Sequence, residues 1–147
     1  MDALENTVSI IAVLVGSDSD LPRIAECVET IQSAGIQVVP QAISAHRRPE
    51  ALAEFAQNLP EVLLPEEVAN ILGGTRLRAA CVIAAAGCSA HIAGALAAIT
   101  VTPVIALPVS SSAGGTVDAS LSMMDMPPGI PNGFVPNNAI ATTMATK

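Results

Sequence analysis

The stretch from Val8 to Val15 is a nearly continuous apolar run, with Ser9 as its one polar residue. Such a run is typical of a β-strand buried on both faces, as in a parallel sheet. A strand with one solvent-exposed face would alternate apolar and polar residues. A short polar turn, 16–20, follows, and apolar residues at helical spacing then continue to Gly35. A second strand is predicted over 36–43, so the chain opens with a βαβ unit. Ser19 or Asp20 is predicted to N-cap its helix, which starts near Pro22.

The alternation of strands and helices continues along the rest of the chain. We predict strands over 79–85 and 102–108 and helices over 49–59, 92–99 and 118–126. The segment 60–78 is interpreted as a surface excursion with a short helix from Pro65, and Arg76 and Arg78 lie just beyond that helix. The tail is predicted to hold one strand near Phe134 and a short final helix. This pattern predicts an α/β fold, an open parallel sheet flanked by helices, in one domain spanning 1–147.

Charge and composition exclude several classes of partner. The net charge is −7, only six residues are Lys or Arg, and neither Trp nor Tyr is present. Such a chain is poorly suited to bind nucleic acid, which needs cations for phosphates and aromatic rings for bases. The stretch 79–117 carries no charged residue, but glycines, prolines and His91 interrupt it too often for a membrane span.

Cysteine usage and apolar content predict the compartment and the assembly. The three cysteines, Cys27, Cys81 and Cys88, lack the paired spacing of a disulfide framework or a zinc site. Reduced thiols, together with an acidic N-terminus that is no secretory signal, predict a cytoplasmic protein. Hydrophobic residues make up 51% of this short chain, so we expect some apolar surface to be buried between subunits in a homo-oligomer.

Four polar loops follow the predicted strands, at 16–20, 44–48, 87–91 and 110–115. The carboxyl ends of parallel strands share one edge of a sheet, where ligands bind in open α/β folds. His46 stands directly before Arg47 and Arg48. This combination is suited to bind an anionic ligand and to transfer a proton to or from it. The 16–20 loop, at a helix N-terminus, suits a phosphate. The residues predict a pocket for a small phosphorylated ligand, with proton transfer by histidine.

Each of these features also has a purely structural interpretation. The arginine pair can be a solvated charge cluster that caps a helix, and the 16–20 loop a routine polar turn. A lone histidine beside an apolar helix, such as His91, is usually a packing residue. Both histidines of the chain fall at strand ends, however, which favours the functional interpretation.

Five stretches in register resemble the family of 5-(carboxyamino)imidazole ribonucleotide mutases and aminoimidazole ribonucleotide carboxylases. They are residues 15–20, 44–49, 86–94, 103–109 and 118–127. The resemblance implies a flavodoxin-like, three-layer fold and a role in purine biosynthesis. It implies a phosphoribosyl substrate and carbon dioxide, no metal or other cofactor, and an octameric homo-oligomer. The pair Ala90-His91 and the arginine at 47 resemble the bacterial mutase class more than the animal carboxylase class.

The resemblance also implies individual roles. Ser17, Ser44 and Arg47 would hold the phosphate, and Asp20 the ribose. His46 would be the general acid and base. The loop with Gly87, Cys88, Ser89 and His91 would close over the imidazole and the carbon dioxide. The predicted substrate-binding set is completed by Gly16, Ser19 and Ala45.

The chain departs from the family pattern at several places. Cys88 stands where the family usually has a second glycine, Ala93 where it has proline and Ser110 where it has glutamine. The 60–78 segment is longer, and the tail is shorter than the family's terminal helix. Two alternatives therefore stay open. One is a related carboxylating enzyme of the same fold, of the type that makes a nickel-pincer cofactor, and the other is a non-catalytic binding subunit for phosphoribosyl ligands.

Overall fold

Nine α-helices and β-strands, and one 3₁₀ helix, follow one another in the computed structural model, which describes residues 7–59, 76–110 and 115–136. In chain order they are β1 (Thr7–Val15), a 3₁₀ helix (Asp18–Ile24), α1 (Ala25–Ser33), β2 (Val38–Ala42), α2 (Pro49–Asn58), β3 (Arg76–Ala86), α3 (Ile92–Ala97), β4 (Val104–Pro108), α4 (Val117–Met124) and β5 (Gly133–Phe134).

The strands form one parallel sheet in the order β2-β1-β3-β4-β5. This is the flavodoxin-like order, so the predicted fold class is confirmed. The apolar run in β1 lies inside the sheet, between β2 and β3, and Ile10 to Val15 are at most 1% exposed. Its side chains alternate between two cores. Ala12 and Leu14 face the core that includes residues of α2, α3 and α4, while Ile11, Val13 and Val15 face the core that contains α1.

The first helix differs from the prediction at its start. A 3₁₀ helix with Pro22 inside it precedes α1, and its N-cap is Ser17, not Ser19 or Asp20. The backbone of Ser17 is extended, at φ −157° and ψ 152°, and its Oγ accepts a hydrogen bond from the Ser19 amide. Short 3₁₀ turns are common at the beginning of α-helices. The predicted end is confirmed, because α1 stops at Ser33 and Gly35 has φ +77°.

Other boundaries shift by a few residues. The third strand begins at Arg76, so Arg76 and Arg78 belong to β3 and not to a surface excursion. In β3 the Cα of Arg76 pairs with that of Thr7 and the Cα of Arg78 with that of Ser9. The strand near Phe134 is confirmed. The predicted helix from Pro65 and the final helix lie outside the described residues. Among the helices that are described, none is long and apolar enough to cross a membrane.

Candidate active site

The loops after β1, β2 and β3 begin at the same edge of the sheet. Backbone hydrogen bonds continue the strand pairing into the loops, from the Gly16 amide to the Ala85 carbonyl at 3.0 Å and from the Ile43 amide to the Val15 carbonyl at 2.9 Å. In the strand order, β1 lies between β2 and β3. The two histidine loops therefore face each other across Gly16.

These loops enclose a cavity of about 450 Å³. All twelve residues predicted for the site contribute to its lining: Gly16, Ser17, Ser19, Asp20, Ser44, Ala45, His46, Arg47, Gly87, Cys88, Ser89 and His91. Arg23, Ala86 and Ile92 also line it and were not predicted. The i, i+3 spacing from Asp20 to Arg23 was the signal that would have found the arginine.

The two imidazoles meet inside this cavity. His46 Nε2 lies 2.9 Å from His91 Nδ1, and the ring planes are nearly perpendicular, at 88°. One hydrogen occupies the space between these nitrogens, and the tautomers decide which ring donates it. At this distance the two facing nitrogens cannot both carry a hydrogen. A histidine pair in this arrangement can hold one proton between its rings, and imidazole is a group that can exchange protons near neutral pH.

Hydrogen bonds to Ser44 shape the loop that carries His46. The Arg47 amide and Nε each donate to Ser44 Oγ at 3.3 Å, and the Arg48 amide donates to the Ser44 carbonyl at 2.8 Å. The Arg47 guanidinium is thereby held beside a hydroxyl on the cavity wall. A guanidinium and a hydroxyl side by side are suited to bind a phosphate oxygen.

The loop after β1 brings two hydroxyls and a carboxylate to the cavity. Ser19 Oγ donates to Ser17 Oγ at 3.1 Å, and the Asp20 amide donates to the Ser17 carbonyl at 2.9 Å. Asp20 is only 8% exposed. Burial raises the pKa of its carboxyl, and the Arg23 guanidinium, 3.8 Å away, opposes this shift. Asp20 is thus a partly desolvated acceptor, placed where ligand hydroxyls can reach it.

The loop after β3 contains a strained residue. Cys88 has φ +56°, and it is the one non-glycine residue with positive φ in the described part of the chain. The left-handed conformation favours glycine, so the position where the family pattern has glycine keeps a backbone geometry suited to it. Cys27, Cys81 and Cys88 form no disulfide bond, and Cys27 and Cys81 are buried while Cys88 is exposed.

A hydrogen bond joins the fourth predicted loop to the element that follows β1. The Arg23 guanidinium donates to the Ser110 carbonyl, at the end of β4. This contact connects the 3₁₀ helix after β1 to the loop after β4. Residues 111–114 lie outside the described ranges. Within those ranges, no group of three or more His, Cys, Asp or Glu is placed to hold a metal ion.

Comparisons with known proteins are consistent with this geometry. The sequence profile of the AIR carboxylase family matches residues 10–147. The chain is 38% identical over 121 residues to the N5-carboxyaminoimidazole ribonucleotide mutase of Pyrococcus abyssi, covering 82% of this chain and 61% of the relative. It is 35% identical over 122 residues to the phosphoribosylaminoimidazole carboxylase of Candida albicans, covering 83% of this chain and 19% of that protein.

The backbone resembles a solved structure. The crystal structure of Treponema denticola PurE superposes with a TM-score of 0.75 at 22% identity, covering 93% of this chain and 77% of that one. The chain spans 61% and 60% of the lengths of the mutases from Pyrococcus abyssi and Pyrococcus horikoshii.

Proposed function

The chain belongs to the AIR carboxylase family, and on that premise we propose that it interconverts 5-(carboxyamino)imidazole ribonucleotide and 4-carboxy-5-aminoimidazole ribonucleotide. The observation that carries the proposal is the hydrogen-bonded pair of His46 and His91 in a cavity that also holds Arg47 and several hydroxyls. A proton donor and acceptor beside an anion site is what this isomerisation needs.

The substrate has an anionic end and a reacting end. In the proposal, Arg47 with the hydroxyls of Ser17 and Ser44 binds the phosphate, because these groups lie together on one wall. Asp20 accepts hydrogen bonds from the ribose hydroxyls. Gly16, Ser19 and Ala45 complete this part of the lining. This placement directs the imidazole ring toward the histidine pair.

The proposed reaction is a decarboxylation followed by a carboxylation. The bond from the exocyclic nitrogen to the carboxylate breaks, carbon dioxide leaves, and protonated His46 gives a proton to that nitrogen. Ring carbon four then attacks the trapped carbon dioxide and forms a new carbon–carbon bond. His46 takes the proton from that carbon, so it ends in the protonation state in which it began. The net change is an isomerisation, which needs no metal or organic cofactor.

His91 and the loop after β3 have supporting roles in this proposal. The hydrogen bond from one imidazole to the other fixes the orientation of the His46 ring and selects its tautomer. Gly87, Cys88 and Ser89 line the same cavity, where they close over the imidazole ring and the carbon dioxide. Shielding from water keeps the carbon dioxide near carbon four between the two half-reactions.

The test is direct incubation of the purified chain with 5-(carboxyamino)imidazole ribonucleotide, with the carbon-carboxylated product measured by chromatography. His46→Asn is the matched control, since it removes the acid and base from an exposed position. Turnover by the wild type and not by this variant supports the proposal. Binding without turnover would instead support a ligand-binding subunit. Turnover only from aminoimidazole ribonucleotide and bicarbonate would support a direct carboxylase, as in the name of the Candida albicans relative.

We also propose a homo-oligomer in the cytoplasm. Val117, Leu121 and Met124 of α4 are each at least 60% exposed, and Val101 is 98% exposed. The α4 residues lie at i, i+4 and i+7, on one side of the helix, and such an apolar stripe is typical of a subunit interface. Three cysteines without a disulfide bond are consistent with a reducing compartment. Light scattering at micromolar concentration tests the assembly, and a stable monomer would contradict it.

A further inference from the structure

A second, smaller cavity adjoins the candidate active site. Its volume is about 260 Å³, and it shares Gly16, Ser17, Ser44 and Arg47 with the larger cavity. Asp18, Ala42 and Arg48 line the smaller cavity but not the larger one, and Ala42 and Arg48 also line a third cavity beside α2. Two guanidiniums and two hydroxyls therefore line one small space.

Arg48 is held in place without being neutralised. Its Nη2 donates to the Ala42 carbonyl at 2.7 Å, which ties the guanidinium to the end of β2. Among the described residues, neither Arg47 nor Arg48 forms an ion pair with a carboxylate, although Asp18 contributes to the same wall. Adjacent positive charges without a counter-charge are unusual in a protein of net charge −7. They repel each other less once an anion binds between them.

We propose that Arg48 is a second guanidinium of the phosphate site and makes it selective for a terminal phosphoryl group that carries two negative charges. This inference rests on the proposed function and refines it by naming a specificity-determining residue. A phosphate monoester at the end of a ribosyl ligand has three terminal oxygens that two guanidiniums can share. A phosphodiester has one charge and fewer free oxygens, so it gains less from the second arginine.

The geometry favours this role over a purely structural one. The hydrogen bond to Ala42 uses one of the five N–H donors of a guanidinium. The remaining donors of Arg48 have no hydrogen-bond partner within the described ranges. A side chain that served only to close the turn before α2 would not need to line the cavity beside Arg47.

The experiment compares two probes at pH 8, ribose 5-phosphate and its methyl diester, by calorimetric titration of the full chain. We expect the wild type to bind the monoester more tightly. Arg48→Met should weaken monoester binding about tenfold, the effect of one charge-assisted hydrogen bond, and diester binding by less than about threefold. Arg48→Lys keeps the charge and should retain most of the preference for the monoester. Arg78→Met removes a charge from exposed Arg78 in β3, outside both cavities, and should change neither affinity.

The outcomes separate the inference from the proposed function. Equal weakening of both esters in Arg48→Met would mean that the turn before α2 has loosened, and it would overturn the inference. No weakening of either ester in that variant would overturn it as well, while leaving the proposed function intact. A wild-type chain that binds neither probe would overturn the inference together with the proposed phosphoribosyl site.

Discussion

The loop that carries His46 and the loop that carries His91 meet at one hydrogen bond but are held in place differently. The His46 loop follows the edge strand β2, and hydrogen bonds to Ser44 and Ala42 shape it. The His91 loop follows the central strand β3. Its flanking residues Ala90 and Ile92 are 1% and 2% exposed, so the core anchors it.

Because of this difference, we expect the two loops to respond differently to substitution. The His46 loop presents charged, exposed side chains that a ligand can contact, and its substitution should change binding and turnover with little effect on folding. Ala90 and Ile92, on either side of His91, are packed into the apolar core, so their substitution should change stability first. Both imidazoles are exposed, but His91 lies between two residues that are anchored in the core.

The largest expected effect tests the asymmetry of the two histidines. His46→Asn should lower kcat by about 10²–10⁴-fold, the usual contribution of general acid–base catalysis, while ligand affinity is kept. His91→Asn should lower kcat only about tenfold, because it removes one hydrogen bond to a neighbouring ring. Steady-state kinetics on both variants provide the measurement. Equal losses would mean that both rings transfer protons.

The next effect concerns the anchor of the His91 loop. Ile92→Ala should lower the free energy of unfolding by about 2–5 kcal/mol, since it leaves a cavity in the core. Urea denaturation measures this value. A loss below about 1 kcal/mol would show that the loop is not held by core packing.

Arg47→Met, in the His46 loop, should change ligand binding and leave stability nearly unchanged. The lost charge-assisted contacts should weaken substrate binding by about ten- to a hundredfold, or roughly 1.5–3 kcal/mol. Stability should change by about 0.5 kcal/mol or less, because the side chain is exposed. The two readouts are titration with substrate and urea denaturation. A large loss of stability with unchanged affinity would reverse the comparison between the loops.

A smaller effect is expected at the strained position. Cys88→Gly should raise stability by about 0.5 kcal/mol, because relief of the left-handed conformation exceeds the added entropy of glycine in the unfolded chain. Ser89→Gly is the control and should lower stability slightly, since Ser89 has no positive φ to relieve. Thermal denaturation can compare the two variants, and equal changes would show that Cys88 is not strained.

The smallest effect is a pH dependence at Asp20. Its pKa is raised above 3.8 by burial, so between the two pKa values the folded state holds a proton that the unfolded chain has released. The stability contributed by this group is therefore present at low pH and lost as pH rises through the raised pKa. Asp20→Asn should gain stability over the wild type as pH rises above the ordinary pKa of 3.8. Arg23→Met should extend the wild-type decline to higher pH, since Arg23 lowers that pKa.

Several elements could be predicted because they depend on neighbours in sequence. The apolar run in β1 indicated burial on both faces, and Gly35 indicated the end of α1. The N-cap could not be assigned in this way, because Ser17 and Ser19 offer similar side chains and only the extended backbone at Ser17 decides between them. The membership of Arg76 and Arg78 in β3 depended on pairing with β1, which is a contact between distant segments.

The sequence by itself determined most of the residues that line the candidate site, because parallel strands place the loops that follow them at one edge of the sheet. Only the tertiary structure decided how these residues meet. His46 Nε2 and His91 Nδ1 lie 2.9 Å apart. The loops that carry them can meet because a single strand, β1, lies between β2 and β3. At the end of β1, Gly16 allows a close approach, since a Cβ at that position would lie 3.3 Å from the Cβ of Ala86. Distances of this kind depend on strand order and loop conformation, and local sequence patterns contain no information on either.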